Sequence, residues 1–496
     1  MLQTVPSPKH APPSKTESYV LPSGFLTDSD ELRFDAERYS PRLIEALRTL
    51  NESGMRLERL ADITENVFIP PRFKRMYVER EHGIPFLQGS HVVHFQPADL
   101  KYLSLSSHRL EQWIVRAGWL LVTCSGTIGR TAICLPEWDG WAASQHILRI
   151  VPDETKCPSG YLAAFLASPL GQAQLTANIY GAVVDELTEE QAEDILVPLP
   201  ETAEDRALVH SIETAMTASV DERSEAATLV RKAVDTIPVT SSADCSQANW
   251  FSLRSTHLSG ELRIDAGHYN PALFDALDQL REMDAVPLRN VAEVFMPKRF
   301  KRIYVQPEYG VPFLQGSHVV QFQAADLKYL SREHELIDEV SIEAGWVLVT
   351  RSGTVGRVTI CPDEWDGWAA SEHIMRVVPQ EKACPAGYLC SFLTSPLGQI
   401  QLIANIHGAV VDELTEDHIR NVLVPLPKSS MLRNIDSFMK KGMSMKSQAV
   451  LSAEAGVAKL TDRFSHPQKQ TYKAGYKSAT PEEAAKGVQT YRPGKR

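Results

Sequence analysis

Two short basic runs and two polar turns are the residues best suited to grip an acidic polymer. Arg72, Lys74 and Arg75 lie in PRFKRMYV, and Arg299, Lys301 and Arg302 lie in KRFKRIYV. Lys and Arg neutralise phosphates and so position a protein on nucleic acid, while Arg also reads a guanine edge. Downstream of each run comes a polar turn around a glycine: Gln88, Ser90 and His91 in one case, Gln315, Ser317 and His318 in the other. Gln bonds adenine through two hydrogen bonds in the major groove, and Ser and His reach base edges too. The alternatives are a solvated basic surface for the first set and side chains that only cap a turn for the second.

Other side chains point less clearly to chemistry. His146 and His373, in ASQHI and ASEHI, read as core or loop residues rather than metal ligands. Asp185-Glu186 and Asp412-Glu413 have the look of a nuclease carboxylate pair, but each pair precedes a helix, where acidic residues favour the N-terminus. Trp138, Trp141, Trp365 and Trp368 could stack on an unpaired base; at a WDGW turn they read as a packed domain edge. There is no [DNS]PP[YFW] motif for a flipped base, no GxGxxG fingerprint and no GxxxxGK[ST] phosphate loop. Neither methyl transfer nor motor activity finds its motif in this chain.

What positions these residues is a duplication. The segment IPFLQGSHVVHFQPADLKYLS at 84–104 returns as VPFLQGSHVVQFQAADLKYLS at 311–331. EWDGWAASQHI at 137–147 returns at 364–374, GAVVDELTEE at 181–190 returns at 408–417, and LVPLP closes both copies. The offset is a constant 227, and roughly two thirds of the aligned positions are identical, far beyond chance for a domain-sized repeat. Upstream, ELRFDAERYSP at 31–41 matches ELRIDAGHYNP at 261–271. A unit this long is a tandem domain, since solenoid and propeller repeats run to about 20–50 residues. One segment breaks the likeness: 105–116 shares no identity with 332–343. It reads as a helix leading into the GWLLVT strand.

Within each copy, WLLVTCSGTIGRTAICLP reads as two strands around an SGTIG turn, and GYLAAFLASPLGQAQLTANI as helix broken near Pro169. A helical segment follows each copy. In 203–237 the stripe is Leu208, Ile212, Ala215 and Leu229; in 431–464 it is Leu432, Ile435, Phe438, Val450, Val457 and Leu460, interrupted by Gly442 and Gly456. About 33 helical residues span roughly 50 Å. Two such rods in one chain can pack antiparallel, stripe against stripe; the alternative is two amphipathic helices folded onto their own domains. The fold class is thus α+β: two tandem domains separated by long, antiparallel, coiled-coil-like helices. The boundaries read as an N-terminal arm at 1–23, domain 1 at 24–200, a central helical spacer at 201–240, domain 2 at 241–427, a second spacer at 428–464 and a basic tail at 465–496.

The 496 residues carry 51 Lys and Arg against 62 Asp and Glu, a net charge of −11, so any nucleic-acid contact must rest on local clusters. Mean hydropathy is −0.21, and no apolar run reaches the ~18 residues of a membrane span. Residues 1–15 have no apolar core and read as a disordered arm rather than a secretory signal. Cys124, Cys134, Cys157, Cys245, Cys361, Cys384 and Cys390 include no CxxC pair and no zinc spacing, and read as buried thiols of a reducing, cytoplasmic compartment.

This architecture resembles the specificity subunit of type I restriction-modification systems, over about residues 24–464. The carriers are ELRFDAERYSP, IPFLQGSHVV, GWLLVTCSGTIGR and GAVVDELTEEQAEDILVPLP, in that order, twice over, with a helix after each copy. The resemblance implies two target-recognition domains that bind double-stranded DNA and carry no catalytic site or cofactor. It also implies two methyltransferase subunits docked on the helices, bringing S-adenosylmethionine for adenine methylation, and a motor-nuclease or other defence effector that joins them. Leu208, Ile212, Leu432 and Ile435 are the expected partner-binding positions. Members ordinarily carry two dissimilar recognition domains; near-identical copies point instead to a near-palindromic bipartite target. The rival readings are a standalone DNA-binding protein and a nuclease using the repeated Asp-Glu pairs.

Overall fold

A computed structural model describes residues 40–107, 109–177, 186–238, 269–404, 406 and 413–465. The proposed arm and tail, most of the ELRFDAERYSP and ELRIDAGHYNP segments, Asp185, Asp412 and Cys245 lie outside the described residues.

The first copy opens with helix α1 (Pro41–Glu52), capped by Ser40. Its strands are β1 (Arg56–Arg59), β2 (Thr64–Phe68), β3 (Tyr77–Val78), β4 (Gly83–Leu87), β5 (Lys101–Ser104), β6 (Leu120–Thr123), β7 (Thr131–Ile133), β8 (Ala142–Ala143), β9 (Ile147–Pro152) and β10 (Leu196–Leu199). They form an antiparallel sheet β2-β9-β6-β7, a smaller sheet β3-β5-β4-β8 and a closing pair β1-β10. All four residues of β6 are buried, as a continuous apolar run in a central strand requires. The SGTIG segment does join β6 to its antiparallel neighbour β7. Helices α2 (Ser159–Ala167) and α3 (Pro169–Ala177) are separated at Ser168, so the break near Pro169 is real. The short α4 (Glu189–Glu193) precedes β10.

The second copy reproduces this arrangement from β11 (Val286–Pro287) to β20 (Leu423–Val424), with the corresponding strand order in all three sheets. Its helices are α6 (Pro271–Glu282), α7 (Ile337–Val340), α8 (Ala386–Thr394), α9 (Pro396–Ala404) and α10 (Glu416–Arg420). The divergent segment is less helical than its sequence suggests: copy 1 has only a single 3-10 turn, Leu110–Trp113, where copy 2 has α7.

Helix α5 (Ala203–Asp235) follows copy 1, and α11 (Ser429–Ser465) follows copy 2. A reciprocal Thr202–Asp205 box starts α5. The two helices run antiparallel, as their cross-contacts show: Arg463 bonds Asp205 at 3.2 Å, Lys459 bonds Ser211 at 2.5 Å, and Ser219 Oγ donates to the Ala449 carbonyl at 2.6 Å. Gly442 and Gly456 do not interrupt α11, which runs unbroken through both. At Gly442 a Cβ would lie 2.8 Å from Val230 Cγ2 and 3.1 Å from the Ala226 carbonyl oxygen; the glycine is a close-approach point.

Each domain sits on both rods. Val209 and Ile212 of α5, with Leu460 of α11, join the core of copy 1. Ala226, Ala227, Val230 and Ala233 of α5, with Ile435, Met439 and Met443 of α11, join that of copy 2. The residues expected to bind partners lie in these same regions. Ile212 and Ile435 are fully buried in the chain's own cores, and Leu208 and Leu432 pack half-buried against them. Their apolar surface is spent on internal packing, because each domain folds back onto its helix.

The copies also meet directly. The Phe95 N–H donates to the Val320 carbonyl at 2.9 Å, and the Phe322 N–H donates to the Val93 carbonyl at 2.8 Å. Arg130 pairs with Asp326 at 2.7 Å, and Arg357 pairs with Asp99. Since 93, 95, 99 and 130 become 320, 322, 326 and 357 on adding 227, every contact has its mirror, and a pseudo-two-fold axis relates the domains. Near that axis the buried cations Arg223 and Lys446 face aromatic rings: Arg223 lies over Trp138 and Phe322, Lys446 over Phe95 and Trp365. Burial pulls Lys446 down to about 8 and Arg223 down to about 10. The tryptophans of the WDGW turns thus form packed edges: Trp138 and Trp365 are 1% and 5% exposed.

Candidate nucleic-acid interface

The basic runs occupy the loop that leads from the large sheet into β3. Arg72 and Lys74 project into solvent, as do Met76 and Tyr77. Arg75 instead folds back, lying 5.3 Å from the Phe86 ring centre and donating through Nη2 to Gln145 Oε1 at 2.9 Å. Arg302 does the same over Phe313, donating to both carboxylate oxygens of Glu372 at 3.0 Å. Arg75 and Arg302 are therefore tied to the ASQHI and ASEHI segments.

The polar turns converge on the same place. A Cβ on Gly89 would lie 3.9 Å from both the His146 carbonyl oxygen and Thr123 Cγ2. Ser90 is exposed and Gln88 half-buried. His91 and His318, however, are 6% and 5% exposed. Each accepts at Nδ1 from the backbone N–H of Gln88 or Gln315, completing a cap on the 3-10 turn that follows. Burial, then the Arg357 cation, holds His91 at about 4, and burial likewise lowers His318, so both rings are neutral at pH 7. Both rings face inward and cap their own turns.

Sequence reasoning missed the remaining members. Ser125 Oγ and His146 Nδ1 are 2.6 Å apart, as are Ser352 Oγ and His373 Nδ1. Gly126 and Thr127 at the tip of the SGTIG turn are exposed, and Gly126 needs its φ of +76° with no neighbour within 4 Å. The signal for this site was the repeated Ser and His around two turns, but only the sheet brings residues 125 and 146 together. Of the acidic pairs, Glu186 bridges to Ser125 and lies 3.9 Å from Arg72, while Glu413 is held by Arg351 at 2.5 Å. The helix-start role falls instead to Thr188 and Thr415, which cap α4 and α10.

Arg149 and Arg376 hold the ASQHI and ASEHI turns from beneath. Each is fully buried, Arg149 bonding the carbonyls of Ala143 and Ser144 and Arg376 those of Ala370 and Ser371. Burial lowers both to about 9, so each remains a cation solvated by peptide oxygens. Among the described residues there is no cluster of three or more His, Cys, Asp or Glu able to hold a metal. Nor is any described helix long and apolar enough to cross a membrane.

Fold and site together define a duplicated α+β chain mounted on an antiparallel helix pair, with two equivalent loop clusters that mix exposed cations and hydrogen-bonding side chains. No family model matches the chain, and no curated protein matches it. Among solved structures it is similar to the HsdS subunit from Thermoanaerobacter tengcongensis, at 14% identity and TM-score 0.27, covering 84% of this chain and 97% of that one. It is similar to the type I restriction-modification system S subunit from M. genitalium, at 9% identity and TM-score 0.32, covering 83% and 95%. A third similarity is to a chain from a study of type I R-M complex assembly and conformational transition, at 17% identity and TM-score 0.27, covering 83% and 97%.

Proposed function

We propose that this chain is the non-catalytic, sequence-recognising DNA subunit of a type I-like adenine methyltransferase or restriction complex, acting in the cytoplasm. The observation that carries this reading is the pair of equivalent loop clusters related by a pseudo-two-fold axis through the helix pair. Two equivalent readers inverted about an axis suit a bipartite, near-palindromic duplex site, with half-sites about one helical turn, or roughly 10 base pairs, apart. In each cluster Lys74 or Lys301 contacts phosphate, while Gln88 and Ser90, or Gln315 and Ser317, face base edges; Arg72, Arg75, Arg299 and Arg302 supply the remaining positive charge, each as far as its own ion pairing leaves it free. The motif resemblance supplies the partners: two methyltransferase subunits carrying S-adenosylmethionine, with a motor-nuclease or other effector. With Ile212 and Ile435 internal, those subunits dock on the solvent-facing sides of α5 and α11.

The test is to map methylated adenines in cells with and without the gene, and to assay the purified chain alone. The expected result is a two-part motif lost on deletion, with no methyl transfer or cleavage by the chain by itself. Robust activity of the isolated chain refutes the reading. A standalone DNA-binding protein is the second reading, and the self-filled apolar faces of both helices favour it. Duplex binding without any co-purifying methyltransferase would decide for it.

A further inference from the structure

The two loop clusters superimpose in kind but not in charge. In copy 1, Arg75 meets only neutral partners, Gln145 Oε1 at 2.9 Å and Ser144 Oγ at 3.5 Å, and has no carboxylate within ion-pair distance among the described residues. In copy 2, Glu372 stands where Gln145 stood, and its side chain is only 8% exposed. Burial, the largest single influence, would raise that carboxyl, but the hydrogen bonds and charge of Arg302, a backbone hydrogen bond at Glu372 itself and His373 together hold it below the usual carboxylate range. Arg302 is therefore a neutralised cation. A second exchange works in the opposite direction one loop away. Arg72 has Glu186 at 3.9 Å, whereas Cys124 of copy 1 is Arg351 in copy 2, and Arg351 takes up Glu413. Arg299 is left with no ion-pair partner among the described residues.

We propose that the two half-sites are gripped by different arginines, Arg75 in copy 1 and Arg299 in copy 2, with Gln145/Glu372 and Cys124/Arg351 as the residues that make the switch. The inference rests on the DNA-recognition reading above. It predicts a bipartite target whose halves mirror each other except where the arginines differ. The ligand chemistry is an acceptor on duplex DNA, either a phosphate or a guanine edge, and the two leave different signatures. Loss of a phosphate contact lowers the salt slope by about 0.9 without changing the preferred sequence. Loss of a base contact relaxes one position by roughly 5- to 150-fold.

The experiment uses the full-length chain, purified with whatever subunits accompany it in its host. Selection from a randomised duplex pool and salt titration are run on the wild type, Arg75→Ala, Arg299→Ala, Glu372→Gln and Gln145→Glu. Arg302→Ala is set aside because it would strand a buried carboxylate, whereas Glu372→Gln keeps the shape. Arg75→Ala and Arg299→Ala should each impair one half-site. Glu372→Gln should release Arg302, adding about one unit of salt slope or a new preference in the second half. Gln145→Glu should silence Arg75 and mimic Arg75→Ala. Halves that mirror fully in the wild type, with Glu372→Gln and Gln145→Glu both indistinguishable from it, overturn the inference and leave the DNA reading standing. Failure of the wild type to bind or enrich any duplex overturns both.

Discussion

Gly442→Ala and Gly456→Ala should shift stability in opposite directions, although both replace glycine by alanine inside one helix. Each substitution gains about 1 kcal/mol of helix propensity. At Gly442 the new methyl would sit 2.8 Å from Val230 Cγ2, and 3.1 Å from both the Ala226 carbonyl oxygen and the Val230 nitrogen. Two of those atoms are backbone of α5, so relief requires the rods to separate at that level. Overpacking of this kind costs about 1–3 kcal/mol, leaving a net loss of up to about 2 kcal/mol. At Gly456 the nearest atoms are Met216 Sδ at 3.0 Å and Cγ at 3.2 Å, the far end of a side chain that changes rotamer readily. There the propensity gain should survive, for a net stabilisation of up to ~1 kcal/mol. Urea denaturation of the full chain, followed by circular dichroism, reads both changes as midpoint shifts. Val230→Ala in the Gly442→Ala background should recover about 1 kcal/mol relative to additivity, because the tightest contact is gone. If Gly442→Ala proves as stable as Gly456→Ala, the close approach of the two helices at residue 442 is refuted.

Ile212→Ser and Ile435→Ser should each destabilise their own domain by about 3 kcal/mol, since each puts a hydroxyl and a void into a sealed core. Loss of partner binding with unchanged urea midpoints would restore a docking role for these residues. Arg149→Met should cost about 3 kcal/mol or more by stranding the carbonyls of Ala143 and Ser144, and hydrogen exchange should rise first at the 143–147 turn. An unaltered exchange pattern would remove Arg149 as the support of that turn. Burial pushes Cys124 up to about 11 and Cys134, Cys157, Cys361, Cys384 and Cys390 up to about 12. In a Cys245→Ser background, a thiol reagent at pH 8 should therefore react only as fast as the chain unfolds, since the reactive thiolate is scarce and covered. Rapid labelling of native protein would contradict that burial.

The duplication, the two long helices, the SGTIG hairpin and the break at Pro169 were legible because each is written in local order: a repeated string, a 3.6-residue period, a turn signal, a helix breaker. The cap on α5 went unread although it too is local, since Thr202 and Asp205 stand at the spacing of a capping box. What else escaped was non-local. Nothing local marks Arg149 and Arg376 in the sequence, and only the fold surrounds them with carbonyls. The interior direction of His91 and His318 depends on a single 3-10 turn, too short to give a period. Gly442 and Gly456 signal a break until a second helix lies against them. Leu208 and Ile212 belong to an apolar stripe visible in the sequence, but a stripe does not say what will cover it. Here the chain's own domain does.

The mirrored contacts between residues 93–99 and 320–326 are those an isologous dimer makes, in which one patch meets its own copy. A half-length ancestor carrying one domain and one helix would hold the donors, acceptors and charges needed to build this assembly from two chains. Fusion then changes what selection can act on. In a dimer every substitution appears twice, so Gln145 and Glu372 could never coexist. Joined in one polypeptide, the two halves share a frame yet mutate independently, and one loop cluster can drift while the other keeps its side chains.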